Sequence, residues 1–281
     1  MHLQWFPGHM TRAIRMMEEE VKLVDGIIFV LDSRAPFACL NKKLSSVFGN
    51  KPVLYVFNKC DLVELSELKR VVKVFESQNK RVITSTGTSE KSAKALYEAV
   101  FAMLKPTLDK YKNKGIKKPL RVMVAGIPNT GKSTIINSLT GGKKAKTGDK
   151  AGVTKDKQWV KVKDLELLDT PGTTPPSFDN QINAKFLAFI GSINDDILDF
   201  NELTIDLIKY LNNKYPKIIN STYGVEVEGK EPLEIIDAIA IKRGAIKKGG
   251  EIDYDRVSRL IITDLRKGKL GKILFTNDGN V

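Results

Sequence analysis

Gly126-Ile127-Pro128-Asn129-Thr130-Gly131-Lys132-Ser133 carries the sharpest chemistry in this 281-residue sequence. It fits the GxxxxGKS pattern, lies directly after the apolar run Leu120 to Ala125, and precedes the helical pattern Thr134 to Leu139. Glycines at the two ends let the backbone wrap an anion and aim its N–H groups inward, at the start of a helix whose dipole favours negative charge. In such a loop Asn129, Thr130, Gly131 and Thr134 frame the phosphates of a nucleotide. Lys132 neutralises the β and γ phosphates and the Ser133 hydroxyl ligates Mg²⁺.

A second constellation, Asn58-Lys59-Cys60-Asp61, closes the apolar run Pro52 to Phe57. The two oxygens of Asp61 can accept from the ring N–H and exocyclic amine of guanine. Adenine offers no such pair and would leave a desolvated carboxylate unmatched. Asn58 would meet the other edge of the purine and Lys59 would lie along the base plane. A third, Asp169-Thr170-Pro171-Gly172, ends the run Leu165 to Leu168. Asp169 there can hold Mg²⁺ through water, and the Gly172 N–H can meet a γ-phosphate. Thr154, in the Gly- and Lys-rich stretch 147–157, is placed to add a Mg²⁺ and γ-phosphate ligand from a switch loop. A solvent-exposed loop threonine is the other reading of that position.

The elements that must carry these loops alternate. Apolar runs at Gly26 to Leu31, Pro52 to Phe57, Arg81 to Ile83, Leu120 to Ala125 and Leu165 to Leu168 predict strands. Amphipathic stretches lie between them: one after Thr11, read as an N-cap, then Leu65 to Phe75 and Ala93 to Leu104. Strand followed by helix, repeated, predicts an α/β fold with a mostly parallel sheet covered on both faces. After about Pro176 the pattern becomes helical only, at Phe186 to Ile190, Leu203 to Leu211, Leu233 to Ile241 and Val257 to Leu265. This predicts a GTPase domain over residues 1–176 and a small α-helical domain over 177–281.

The order of motifs is unusual. Most GTPases run phosphate loop, switch threonine, DxxG, then NKxD, whereas here the NKxD residues precede the phosphate loop. The domain is therefore read as circularly permuted, with an exposed linker joining the usual termini. The lysine-rich stretch Lys105 to Pro119 is expected to be that linker.

Composition sets the wider bounds. A net charge of +13, with lysines bunched at 105–118, 143–163 and 242–272, favours a polyanionic partner. Two cysteines, Cys39 and Cys60, cannot build a disulfide framework or a cysteine zinc site. The N-terminus has no apolar signal core, and no apolar run could span a bilayer. A cytoplasmic protein without a membrane partner is expected, monomeric when free.

Taken together, the motifs resemble those of the YlqF/RbgA family of circularly permuted GTPases, ribosome biogenesis GTPase A. The resemblance also takes in Trp5-Phe-Pro-Gly-His9-Met, Asp32-Ser-Arg-Ala-Pro36, and Lys242-Arg-Gly244 through Lys248-Gly-Gly250. It implies GTP hydrolysis coupled to late maturation of the large (50S) ribosomal subunit, with the helical domain contacting ribosomal RNA. It implies that the guanine loop continues at Ser85-Thr86-Gly87, and that Asn129 is a K⁺ ligand bridging the phosphates, a simple loop-forming asparagine being the alternative. The residue after DxxG is Thr173, where many GTPases have a water-orienting glutamine and the family a bulky apolar residue. The resemblance offers His9 as the catalytic group instead. The competing reading of His9 is a helix cap or a packing partner of Trp5 and Phe6. A nucleotide-gated RNA-binding module with negligible turnover is the alternative function; an ATP-dependent kinase is disfavoured by Asp61.

Overall fold

The computed structural model describes residues 8–40, 42–142, 158–172 and 180–277, and of these the side chains of 8–13, 42–43 and 158 are outside the description. Thr154, Thr173 and the His9 side chain therefore lie outside the described residues.

The first part of the chain runs α1 (Gly8–Glu20), β1 (Gly26–Asp32), α2 (Pro36–Cys39), α3 (Lys42–Val47), β2 (Val53–Asn58), α4 (Leu65–Ser77), β3 (Arg81–Thr84) and α5 (Glu90–Asn113). It continues through β4 (Leu120–Ala125), α6 (Lys132–Thr140), β5 (Gln158–Val162) and β6 (Leu165–Asp169). The remainder is helical: α7 (Gln181–Phe189), α8 (Phe200–Lys214), α9 (Pro216–Tyr223), α10 (Pro232–Arg243) and α11 (Tyr254–Arg266).

Six strands form one sheet in the order β3-β2-β1-β4-β6-β5, parallel except for β5 against β6. From β1 the chain winds outward through β2 and β3; from β4 it crosses to the opposite edge at β5 and turns back into β6, which pairs with β4. The strand order reverses between β1 and β4, and at such a switch point the carboxyl ends of the strands open a crevice that binds ligands. Asp32, Asn58, the phosphate loop and Asp169 all leave the sheet at those carboxyl ends.

Both sheet faces are covered, as continuous apolar strands require. Ile28, Val30, Val56, Val122 and Val124 face Leu96, Val100 and Leu104 of α5 and Ile135 and Ile136 of α6. Ile27, Phe29, Leu31, Phe57 and Met123 face the other way, against Met17, Leu44, Leu68, Val71 and Phe75. That second cluster continues without a break into Leu187, Phe189, Leu207, Ile236, Ile261 and Phe275 of the helical region.

Three sequence expectations are corrected. The stretch Lys105 to Pro119 is not one exposed connection, because α5 continues through Pro106 as far as Asn113. Pro106 removes one N–H from the helical ladder, but Leu108 and Tyr111 on the following turns pack onto the apolar cluster beneath. Tyr111 also donates to the Asp25 carboxylate, and Lys118 sits over its ring at 4.4 Å. Only residues 114–119 connect α5 to β4. Second, α1 begins at Gly8, so Thr11 lies within its first turn and is not its N-cap. Third, β5 was hidden in the lysine-rich stretch: Val160 and Val162 are buried while Trp159 and Lys161 face out, the period-2 pattern of a charged edge strand.

Candidate functional site

Each loop of the site follows from its strand end. Gly126 leaves β4 at φ 152°, where an added Cβ would sit 2.5 Å from the Val30 carbonyl of the neighbouring strand. The turn needs positive φ again at Asn129 (60°) and Gly131 (93°) before α6 starts at Lys132. Within it the Thr130 hydroxyl and the Lys132 ammonium both donate to the Ile127 carbonyl, at 3.1 and 3.0 Å.

The guanine-type loop is bonded to this turn. Asn58 Nδ2 donates to the Thr130 carbonyl at 2.8 Å, and Lys59 Nζ donates to the Asn129 carbonyl at 2.6 Å. Lys59 holds a left-handed backbone, φ 58°, which turns the chain into the short helical turn Cys60–Leu62 and leaves Asp61 exposed on it. Gly87 comes so close that a Cβ there would lie 2.8 Å from Asn58 Oδ1. Its own N–H donates to Ser85 Oγ at 3.0 Å, and the half-buried Thr86 precedes it.

On the other side, Ser133 Oγ lies 3.2 Å from Asp169 Oδ2, and the Thr170 hydroxyl donates to the Val124 carbonyl at 2.8 Å. A Cβ on Gly172 would be 2.9 Å from Lys132 Nζ and 2.8 Å from the Pro128 backbone. The fold thus brings Asn58, Lys59, Gly87, Asn129, Thr130, Gly131, Lys132, Ser133, Asp169 and Gly172 into direct or near contact. Asp61 and Thr86 stand on the adjoining loops, and Thr134 is the third residue of α6.

Electrostatics mark the same place. Burial pushes the Lys132 amine down to about 8, and Asp169 only partly restores it. Burial likewise raises Asp169, against the opposing pull of Lys132 and the Ser133 hydroxyl. Asn58 Oδ1 and Asp169 Oδ1 are buried acceptors with no hydrogen-bond donor. Each such orphan costs on the order of 1–3 kcal/mol. A ligand that supplies an anion at Lys132, a hydrated cation at Ser133 and Asp169, and donors at Asn58 would relieve all of these at once. Among the described residues no three His, Cys, Asp or Glu side chains gather as a metal site; a divalent ion here would have the Ser133 hydroxyl, Asp169 and the ligand's own oxygens to bind.

Two features of the site are not among the residues its motifs predict. Asp32, fully buried at the end of β1, is bonded to Lys59 and to Arg34. Burial alone would raise its carboxyl, but the two cations outweigh it and hold Asp32 far below the usual carboxylate range. The signal was a charged residue closing an apolar strand, Gly26–Asp32, in the same register as Asn58 closes β2. The other is the turn after α7, where the Gly191 carbonyl accepts from Asn129 Nδ2 at 2.6 Å and Ser192 Oγ donates to the Pro128 carbonyl at 2.8 Å. Short polar residues after a helix give no such signal.

Fold and site define a phosphate-loop GTPase whose guanine-type loop precedes its phosphate loop in the chain. A family model described as "50S ribosome-binding GTPase" matches residues 121–236. Ribosome biogenesis GTPase A of Bacillus cereus is 38% identical over 277 residues, 98% of this chain and 94% of that protein. The protein of the same name from Thermotoga maritima is 31% identical over 274 residues, 97% of this chain and 94% of its own. Among solved structures, GDP-bound YlqF is 27% identical with a TM-score of 0.67, covering 94% of this chain and 100% of that one. GNP-bound YlqF from T. maritima gives 27% and 0.66, covering 95% and 98%. The chain belongs to the ribosome biogenesis GTPase A family: it binds guanine nucleotides and hydrolyses GTP.

Proposed function

We propose that this GTPase acts in late maturation of the large (50S) ribosomal subunit, that residues 177–281 contact its ribosomal RNA, and that the subunit stimulates hydrolysis. In this reading Asp61 pairs with the guanine N–H groups while Asn58, Thr86 and Gly87 enclose the base. Lys59 spans from the base plane to the phosphate loop. Asn129 to Thr134 cradle the phosphates, and Lys132 neutralises their β and γ oxygens. Ser133 and Thr154, and Asp169 through water, would hold Mg²⁺, which would supply positive charge against the phosphate oxygens. Gly172 offers its N–H to the γ-phosphate. With Thr173 in place of glutamine, His9 would orient the attacking water when the ribosomal partner completes the site.

The observation that carries this reading is the bonding of the phosphate loop to the helical region through Asn129 to Gly191 and Ser192 to Pro128. A change at the phosphates acts on the helices through these bonds as well as through the chain that follows Gly172. The overall charge of +13 suits an RNA partner. Among the described residues no helix is long and apolar enough to cross a membrane, and the work is assigned to the cytoplasm, with a free monomer before it meets the subunit.

GTP turnover in Mg²⁺ and K⁺, measured with large subunits and with small subunits as control, tests this reading. Stimulation by large subunits alone, lost in His9→Ala, is expected. Equal slow turnover in every arm would instead favour a nucleotide-gated binding module. Exchanging K⁺ for Na⁺ in the same assay tests cation ligation by Asn129: unchanged turnover removes it.

A further inference from the structure

Asp32 is fully buried and has no part in the nucleotide contacts above, yet both of its oxygens are occupied. Oδ1 accepts from Arg34 N and Nε, each at 3.0 Å. Oδ2 accepts from Arg34 Nη2 at 2.8 Å and Lys59 Nζ at 2.9 Å. The other contact of that lysine amine is the Asn129 carbonyl of the phosphate loop. A buried carboxylate between two cations is a costly way to fill space, since desolvation offsets most of the attraction. What it provides here is direction: the Lys59 amine is pinned between Asp32 and the phosphate loop.

Arg34 carries the same point outward. Its carbonyl accepts from Phe275 N at 2.6 Å, and its Nη1 reaches the Arg266 carbonyl at 3.4 Å. Beside it, Ile273 N donates to the carbonyl of Leu62, the residue after Asp61, at 3.0 Å. The C-terminal segment is therefore bonded to both ends of the guanine-type loop's support.

We propose that Asp32 and Arg34 are a positioning pair that acts on nucleotide binding through Lys59 and links the guanine loop to the C-terminal segment 270–276. The proposal rests on the reading of Asn58 to Asp61 as the guanine loop.

The test is a double-mutant cycle in the full-length protein, read as affinity for fluorescently labelled GDP. Lys59→Met and Asp32→Asn are each expected to weaken binding about tenfold, and the double variant no more than Lys59→Met alone. Effects that multiply, to roughly a hundredfold, would mean that Asp32 acts independently of Lys59 and would overturn the proposal. Should Asp32→Asn fail to fold with Arg34 left facing a neutral partner, Arg34→Lys takes its place in the cycle, keeping the charge and losing the two-pronged contact. Hydrogen exchange supplies the second readout. Saturating GDP is expected to protect the amides of Ile273 and Phe275 in the native chain and not in the positioning variant. Absence of that protection in the native chain overturns the link. Failure of the native protein to prefer GDP over ADP is a separate result: it removes the guanine reading, and the proposal with it, before any variant is made.

Discussion

Asn58 Nδ2 donates to the Thr130 carbonyl at 2.8 Å, joining the loop after β2 to the phosphate loop 72 positions later in the chain. The two ends of the nucleotide site are thus one bonded unit, although the permuted chain order places them far apart. Asn58→Ala removes the donor to Thr130 together with the buried, unmatched Oδ1. A loss of about 1–3 kcal/mol, or roughly 5- to 150-fold in GDP affinity, is expected. Asn58→Asp sets a charged acceptor against a carbonyl and is expected to bind more weakly still. Equilibrium titration with labelled GDP decides this; an aspartate variant with native affinity would refute the bond's role.

Gly172 has no room for a methyl group. Its Cβ would fall 2.8 Å from the Pro128 Cα and nitrogen and 2.9 Å from Lys132 Nζ. Backbone cannot yield as a flexible side chain can, so in Gly172→Ala the DxxG turn must move off the phosphate loop. GTP turnover is expected to fall at least about tenfold, since transfer depends on placement of the γ-phosphate contacts. Single-turnover hydrolysis beside GDP titration checks this. A fall in GDP affinity larger than the fall in turnover would place the damage at Lys132 instead.

The fold class was legible because its determinants are local: apolar runs separated by helical periodicity, with a chemically specific loop at three strand ends. What escaped was decided by packing. Pro106 marks a break by propensity, yet Leu108 and Tyr111 bury enough beyond it to carry α5 onward. Strand β5 is short and half lysine-flanked, and only its partner β6 makes Val160 and Val162 a buried pair. In the site, residue types gave Lys132, Ser133 and Asp169, while Asp32 and Ser192 matter through partners 27 and 64 positions away. Such pairings have no spacing rule to read.

With Lys132 as the phosphate-binding residue, nucleotide binding is expected to depend on pH. Burial holds its amine at about 8 in the free protein, against an ordinary value of 10.5. Phosphates need the ammonium, so affinity for GDP is expected to decline as pH rises through 8 and the charged form is lost. In the complex the phosphates are expected to raise the amine again, so binding near pH 8 should take up part of a proton. Calorimetry in two buffers of different ionisation heat measures that uptake; it should vanish in Lys132→Met. For stability the sign is opposite. Between 8 and 10.5 the unfolded chain holds this proton more tightly than the folded one, so this group's contribution to the stability of the free protein rises across that window.

Arg266 holds the turn that grips the phosphate loop, and its several bonds are not equal. Its guanidinium pairs with Asp195 at 2.8 and 2.9 Å, but the Asp195 side chain is 46% exposed. Solvent screening keeps such a pair to about 1 kcal/mol or less. The same side chain caps the end of α7, donating to the carbonyls of Ala188 at 2.9 Å and Phe189 at 3.3 Å, beside Gly191 and Ser192. Arg266→Ala takes this donor from the Phe189 carbonyl and leaves Ala188 with the backbone N–H of Gly191, at a cost of about 1–3 kcal/mol. Asp195→Ala loses only the screened pair. Thermal unfolding should therefore separate the two variants, with Arg266→Ala the lower by several degrees, about 2–4 °C per kcal/mol for a chain of this size. Arg266→Lys, with one point charge for two carbonyls and a carboxylate, is expected to fall between them. Equal destabilisation by Asp195→Ala and Arg266→Ala would put the weight on the ion pair and leave the α7 cap, and the turn it supports, without a role in stability.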